Sequence, residues 1–287
     1  MKEIKKVGVV GCGLMGSGIA QVAAAAGYDI VVREVDEERL AKGMAAIDRF
    51  LSKGVERGKL TTGEREQILG RIEPTTRLAE FAEADLVIEA VIEDLDAKKE
   101  VFDELDAVMA DEAIRCSNTS SLCVTEMAAA TKHPDRFVGL HFFSPVPLMA
   151  VVEVIPTLIT GAEVTKAVTE FSRSLGKTPI LAQDRPGFIV NRLLVPYLLD
   201  AIRALECGSG TREDIDSGMK LGCGHPMGPL ELLDFVGLDT TYYIANIMYA
   251  EFRETRFAPP PLLRRMVLAG HLGRKSGRGF FEYSEQR

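Results

Sequence analysis

Two rhythms of apolar and polar positions divide the chain. Up to about residue 184, short apolar runs alternate with longer segments whose apolar residues recur every three or four positions. Beyond it almost every segment carries the helical period. Val7 to Val10 is apolar and β-branched, as suits a strand buried on both faces. Gly11-x-Gly13-x-x-Gly16 breaks the run, Ser17 to Ala26 predicts a helix, and Gly27 stands where a C-cap glycine belongs. A second strand is expected from about Tyr28 to Val32, with Glu34 at its end. Helical spacing follows over Glu37 to Val55, and Thr61-Thr62-Gly63-Glu64 has the form of a capping box. Further strands are expected at Asp85 to Val91, Ala113 to Cys116, Arg136 to Phe143, Met149 to Ile155 and Thr178 to Ala182. Helices are expected over Leu95 to Met109 and, after a second capping pattern at Thr160-Gly161-Ala162-Glu163, up to Gly176.

The rhythm changes at Asp184-Arg185-Pro186-Gly187. Phe188 to Glu206 is apolar nearly all round, which predicts a helix buried in a helical domain or at a subunit interface, kinked by Pro196. Helical segments then fit Arg212 to Leu221, Leu230 to Phe235, Thr240 to Phe252 and Leu262 to Ala269. The expectation is an α/β chain: a Rossmann-type, mostly parallel sheet domain over residues 1–184, then an all-helical C-terminal domain over 185–287.

Composition narrows the function. A net charge of −8 argues against a nucleic-acid partner, whose footprint would be a basic surface. Val7 to Tyr28 is uncharged for 22 residues, but its six glycines, Ser17 and Gln21 fit strand, turn and helix better than a membrane span. Five cysteines (Cys12, Cys116, Cys123, Cys207 and Cys223) and four scattered histidines give neither a C-x-x-C pair nor a zinc pattern. A reduced, cytoplasmic protein without a metal is the expectation.

The glycine turn carries the first chemistry. In a dinucleotide site Gly11 permits the tight turn, Gly13 lets a pyrophosphate approach the backbone, and Gly16 lets the helix pack on the strand. Leu14 and Met15 lie within the same turn, and the helix N-terminus offers N–H groups to the phosphates. Glu34, 18 residues past Gly16, takes the ribose hydroxyls and repels a 2′-phosphate, so NAD is expected rather than NADP. Hydride transfer to NAD needs a group that moves the accompanying proton, and histidine titrates in the right range. His133 falls in a surface turn, His225 before Pro226, and His271 in a Gly-rich tail; only His141 lies at the end of an apolar strand. Glu153, also inside an apolar strand, needs a partner there, and a His141–Glu153 pair would satisfy both. Spacing alone leaves that contact open. Lys53, Arg57 and Lys59, on position alone, suit a solvated surface better than a binding patch.

Six stretches, Gly-Cys-Gly-Leu-Met-Gly, Ser-Asn-Thr-Ser-Ser, His-Phe-Phe-Ser-Pro-Val-Pro, Pro-Gly-Phe-Ile-Val-Asn-Arg, His-Pro-Met-Gly-Pro-Leu-Glu-Leu and Gly-Arg-Lys-Ser-Gly-Arg-Gly-Phe, come in the order found in the 3-hydroxyacyl-CoA dehydrogenase family. The chain resembles that family over essentially its whole length, its stand-alone bacterial 3-hydroxybutyryl-CoA dehydrogenases in particular. The resemblance implies an NAD-dependent oxidoreductase of short-chain (S)-3-hydroxyacyl-CoA thioesters. It implies His141 as general base, Glu153 as its orienting acid, and Ser120 and Asn191 as hydrogen-bonding partners of the reacting oxygens. It implies NAD contacts at Gly11 to Gly16, Glu34, Glu93, Lys98, Ser120, Ser144 and Lys275, and CoA-phosphate contacts at Lys53, Arg57 and Lys59. It also implies that the helical domain closes the acyl pocket and forms a homodimer. Ser144 stands where the family usually has Asn, Ala150 where many members have Lys, and Glu34 where Asp is commoner. The rival expectations are a dehydrogenase of another 3-hydroxy substrate, such as 3-hydroxyadipyl-CoA or a free hydroxy acid, and a non-catalytic NAD-binding protein.

Overall fold

A computed structural model describes residues 3–283. The chain forms two compact units, Met1–Asp184 and Arg185–Arg287. The first opens with β1 (Lys6–Val10), α1 (Leu14–Ala25), β2 (Asp29–Arg33), α2 (Glu37–Glu56), α3 (Thr62–Gly70) and β3 (Ile72–Thr75). It continues through β4 (Leu86–Glu89), α4 (Leu95–Asp106), β5 (Ile114–Ser117), α5 (Val124–Ala129) and β6 (Phe137–Phe142). It ends with β7 (Val151–Pro156), α6 (Ala162–Ser174) and β8 (Thr178–Leu181).

Among the described residues these strands make one eight-stranded sheet in the order β3-β2-β1-β4-β5-β6-β7-β8, parallel throughout except for the antiparallel β6–β7 pair. The chain order reverses between β1 and β4, and in open sheets of this kind ligands bind at such a switch point, outside the carboxyl ends of the strands. The central strands are sealed on both faces: Val7, Val9, Leu86, Ile88, Val138 and Val154 share one apolar core with Ile19 and Ala23 of α1. Each fully buried aliphatic side chain contributes about 1.5–3 kcal/mol, so this core fixes the strand ends on which the loops stand.

The structure departs from the sequence-based expectation in several places. Helix α1 begins at Leu14, three residues before Ser17, so Met15 and Gly16 belong to its first turn. β3, which the hydrophobic pattern did not predict, is a four-residue edge strand containing Pro74, tolerated there because an edge leaves one side unpaired. The short helix α5 also went unpredicted. At Thr61 the capping box is present with both reciprocal bonds. At Thr160 it is not: the N-cap of α6 is Gly161, and the Thr160 hydroxyl instead donates to the Phe137 carbonyl at 2.6 Å.

The second unit comprises α7 (Val190–Glu206), α8 (Arg212–Cys223), α9 (Pro229–Val236), α10 (Leu238–Phe252) and α11 (Pro261–Leu268). Its own core gathers Val195, Leu198, Leu199 and Ile202 of α7 with Leu230, Leu233, Ile244, Met248 and Leu263. The apolar surface of α7, expected to be buried in a helical domain or at a subunit interface, is not all covered within this chain: Leu193 is 66% exposed, and Asp200 also faces solvent. Its helix starts at Val190, after Phe188 has adopted a left-handed backbone with φ +46°. Buried Asp216 accepts the Leu230 and Glu231 amides at 2.8 and 2.9 Å, holding the start of α9. Buried Asp234 accepts those of Phe280 and Phe281 at 2.8 and 2.9 Å, pinning the C-terminal tail. No helix among the described residues is long and apolar enough to cross a membrane.

Candidate active site

The glycine turn between β1 and α1 shows why each glycine is there. Gly11 has φ +98°, and a Cβ on it would lie 2.5 Å from the Ala90 carbonyl oxygen after β4. A Cβ on Gly16 would fall 1.8 Å from the Gly11 carbonyl, since α1 starts directly against the turn. Gly13 is different: exposed, and with nothing within 4 Å of where its Cβ would be. Its missing side chain leaves room that the fold itself does not fill, over the start of a helix that has no side-chain cap. A pyrophosphate fits that space. Glu34, just past β2, accepts the Cys12 amide through Oε2 at 3.0 Å and the Val35 amide through Oε1 at 2.8 Å, so the acid is held beside the turn. Burial, with the Glu34 charge adding to it, pushes the Cys12 thiol up to about 12, leaving it inert.

β6 and β7 carry the histidine and the glutamate singled out from their apolar runs. In their antiparallel register His141 stands directly opposite Glu153, which sends both side chains to the same face. Nδ1 of His141 lies 2.7 Å from Oε2 of Glu153; both residues are buried. A proton on Nδ1 donated to the carboxylate puts the lone pair of the neutral imidazole on Nε2.

The loops after β4 and β5 converge beside this strand. Glu93 Oε1 accepts the Thr119 hydroxyl at 2.6 Å, the Ser120 amide at 2.8 Å, the Ser120 hydroxyl at 3.2 Å and the Ser121 hydroxyl at 3.3 Å. Burial alone would raise the Glu93 carboxyl, but the Lys98 ammonium and the donors from Thr119 and Ser120 outweigh it and hold the group below its ordinary value of 4.5. Lys98 is enclosed, its ammonium 2.6 Å from Glu89 and 3.3 Å from Glu93. Asn118 accepts the Phe142 amide at 2.8 Å, tying the β5 turn to the strand that bears His141. Asp184 accepts the Val124 and Thr125 amides at 2.9 and 2.6 Å and fixes the start of α5.

Of the residues singled out in the sequence, the structure thus brings together His141 with Glu153, and Ser120 with Glu93 and Lys98. Ser144 is exposed in the β6–β7 loop. Lys53, in the last turn of α2, Arg57 at its C-cap and Lys59 just beyond lie along the outer end of that helix. Asn191 lies in the first turn of α7, and Lys275, in the second unit's tail, pairs with Asp239 at 2.6 Å. Sequence reasoning passed over Glu89, and it gave Ser117 and Asn118 no individual role within the Ser-Asn-Thr-Ser-Ser stretch. Glu89 bore the same signal as Glu153, an acid within an apolar strand.

The family model for the 3-hydroxyacyl-CoA dehydrogenase NAD binding domain matches residues 6–185, and that family's C-terminal domain matches residues 187–283. The chain belongs to the 3-hydroxyacyl-CoA dehydrogenase family. It is 50% identical over 282 residues to the 3-hydroxybutyryl-CoA dehydrogenase of Mycobacterium tuberculosis, covering 98% of this chain and 99% of that one. It is 47% identical to the human mitochondrial hydroxyacyl-coenzyme A dehydrogenase, covering 98% and 91%. The crystal structure of (S)-3-hydroxybutyryl-CoA dehydrogenase from Ralstonia eutropha matches with a TM-score of 0.95 at 42% identity, covering 99% of this chain and 100% of that one. As a member of the 3-hydroxyacyl-CoA dehydrogenase family the chain is an NAD-dependent dehydrogenase, and its open Gly13 turn and adjacent Glu34 fit that cofactor.

Proposed function

We propose that this dehydrogenase interconverts short-chain (S)-3-hydroxyacyl-CoA and 3-ketoacyl-CoA, with 3-hydroxybutyryl-CoA and acetoacetyl-CoA as the favoured pair. The observation that carries the reading is the 2.7 Å His141–Glu153 contact on neighbouring strands at the ligand-binding edge of the sheet. NAD, when bound, supplies the hydride acceptor in oxidation and, reduced, the donor in reduction. His141 Nε2 takes the 3-hydroxyl proton in oxidation and returns it in reduction. Glu153 fixes the tautomer and balances the imidazolium that forms. Ser120 donates a hydrogen bond to the reacting oxygen, and Asn191 is its counterpart from the helical unit. Lys53, Arg57 and Lys59 meet the CoA phosphates as point charges.

The helical unit closes the acyl pocket in this reading. Supporting that role, it carries an apolar cleft of about 600 Å³ lined by Val190, Leu193, Leu194, Met227, Leu232 and Phe235. The homodimer forms through the same unit, and the enzyme works in the cytoplasm.

Initial rates with acetoacetyl-CoA and NADH over a series of acyl lengths test cofactor, thioester and chain preference together. The C4 thioester is expected to be reduced efficiently, and free 3-hydroxybutyrate to be oxidised far more slowly than its thioester. Lys53→Ala is expected to raise the thioester KM with little effect on kcat. Equal efficiency on the free acid would defeat the CoA assignment.

A further inference from the structure

Glu89 closes β4, a strand otherwise made of Leu86, Val87 and Ile88 and buried throughout. A charge there is costly unless its bonds are complete, and Glu89 completes them. Oε1 accepts the Val91 amide at 2.7 Å and the Lys98 ammonium at 2.6 Å, and Oε2 accepts the Ser117 hydroxyl at 2.6 Å. All three partners are donors, the pattern that an anionic carboxylate takes.

Two routes lead from Glu89 to Ser120. In one, the Ser117 oxygen that donates to Glu89 accepts the Thr119 amide at 3.3 Å, within the turn that ends in Ser120. In the other, Lys98 bridges Glu89 to Glu93, which holds both the amide and the hydroxyl of Ser120. Both routes end in one turn at the carboxyl edge of the sheet, where ligands bind in this architecture. Packing alone would be served by an apolar residue at this position, as at 86 to 88.

We propose that Glu89 is a positioning residue for the reaction, setting Ser120 through Ser117 and through the Lys98–Glu93 pair. The inference rests on the proposed contact between Ser120 and the substrate. A double-mutant cycle tests it, read as kcat/KM for acetoacetyl-CoA with NADH, with melting temperature as the check on folding. Glu89→Gln and Ser120→Ala are each expected to lower kcat/KM about tenfold or more, and the double variant to be no worse than the more damaged single one, because residues that act as a unit do not add. Losses that multiply would show Glu89 acting independently of Ser120 and overturn the inference, while the reading of Ser120 stands. A Ser120→Ala enzyme with unchanged kcat/KM would bring down both. Should Glu89→Gln not fold, Glu89→Asp keeps a charge for Lys98 but withdraws from Ser117. Carried through the same cycle, it supports the inference if its loss merges with that of Ser120→Ala and overturns it if the two losses multiply.

Discussion

A buried imidazole held by a buried carboxylate is an expensive arrangement for a strand pair that could have been apolar, and the proposed mechanism gives it a use at Nε2. His141→Ala removes the proposed proton carrier and nothing that shapes the glycine turn. The expected result is a fall in kcat of about 10²–10⁴-fold, the usual worth of a general base, with NADH affinity little changed. Steady-state rates and fluorescence titration of NADH check the two halves, and an intact kcat would end the proposed mechanism. At this scale the sequence was informative where a polar residue interrupts an apolar run. His141 and Glu153 both stood out in that way, but only the β6–β7 register brings them together, and register depends on a loop whose course composition does not reveal. Glu89 carried the same mark and was missed. A strand-end carboxylate followed by Glu93 and Asp94 looks like the start of a solvated loop, and its burial follows from the turn that folds over it.

Among the elements, β1, the glycine turn, α1 and β2 were the most legible, since strand, break, helix and acid each have a local signature. β3 was not, being four residues long with a proline inside, and the Thr160 pattern misled because its hydroxyl found a carbonyl in β6 before it could cap α6. The turn also yields a contrast between two glycines of one motif. Gly16→Ala forces a methyl onto the Gly11 carbonyl, so either α1 or the turn must shift, and a clear drop in melting temperature is expected. Gly13→Ala meets nothing in the protein, so the fold should melt within a few degrees of the parent. Its methyl occupies the space assigned to the pyrophosphate, and NADH should bind at least about tenfold more weakly, the loss of roughly 1.4 kcal/mol. Calorimetry paired with NADH titration reads both. A Gly13→Ala protein that binds NADH like the parent would move the phosphates off this turn.

For the whole molecule, the change of rhythm near residue 184 was readable because parallel sheets demand alternating elements and helical bundles do not. Which residues of the helical unit meet solvent was not readable, since helix α7 has apolar side chains on more faces than its core uses. Leu193, Leu221 and Leu268 are 66%, 87% and 73% exposed on that unit. Single exposed leucines are ordinary, but several on one helical unit support the proposed dimer there, and charge supplies a way to test it. Each chain carries −8, so two copies repel through solvent, and added salt screens that repulsion without weakening apolar contacts. Sedimentation equilibrium should therefore find a species of twice the 31.3 kDa chain mass whose association holds or tightens as salt is raised. Dissociation at high salt would mean that ion pairs, not the exposed leucines, hold the copies together. A single-chain mass at every salt concentration would remove the dimer from the proposal while leaving the site in the first unit intact.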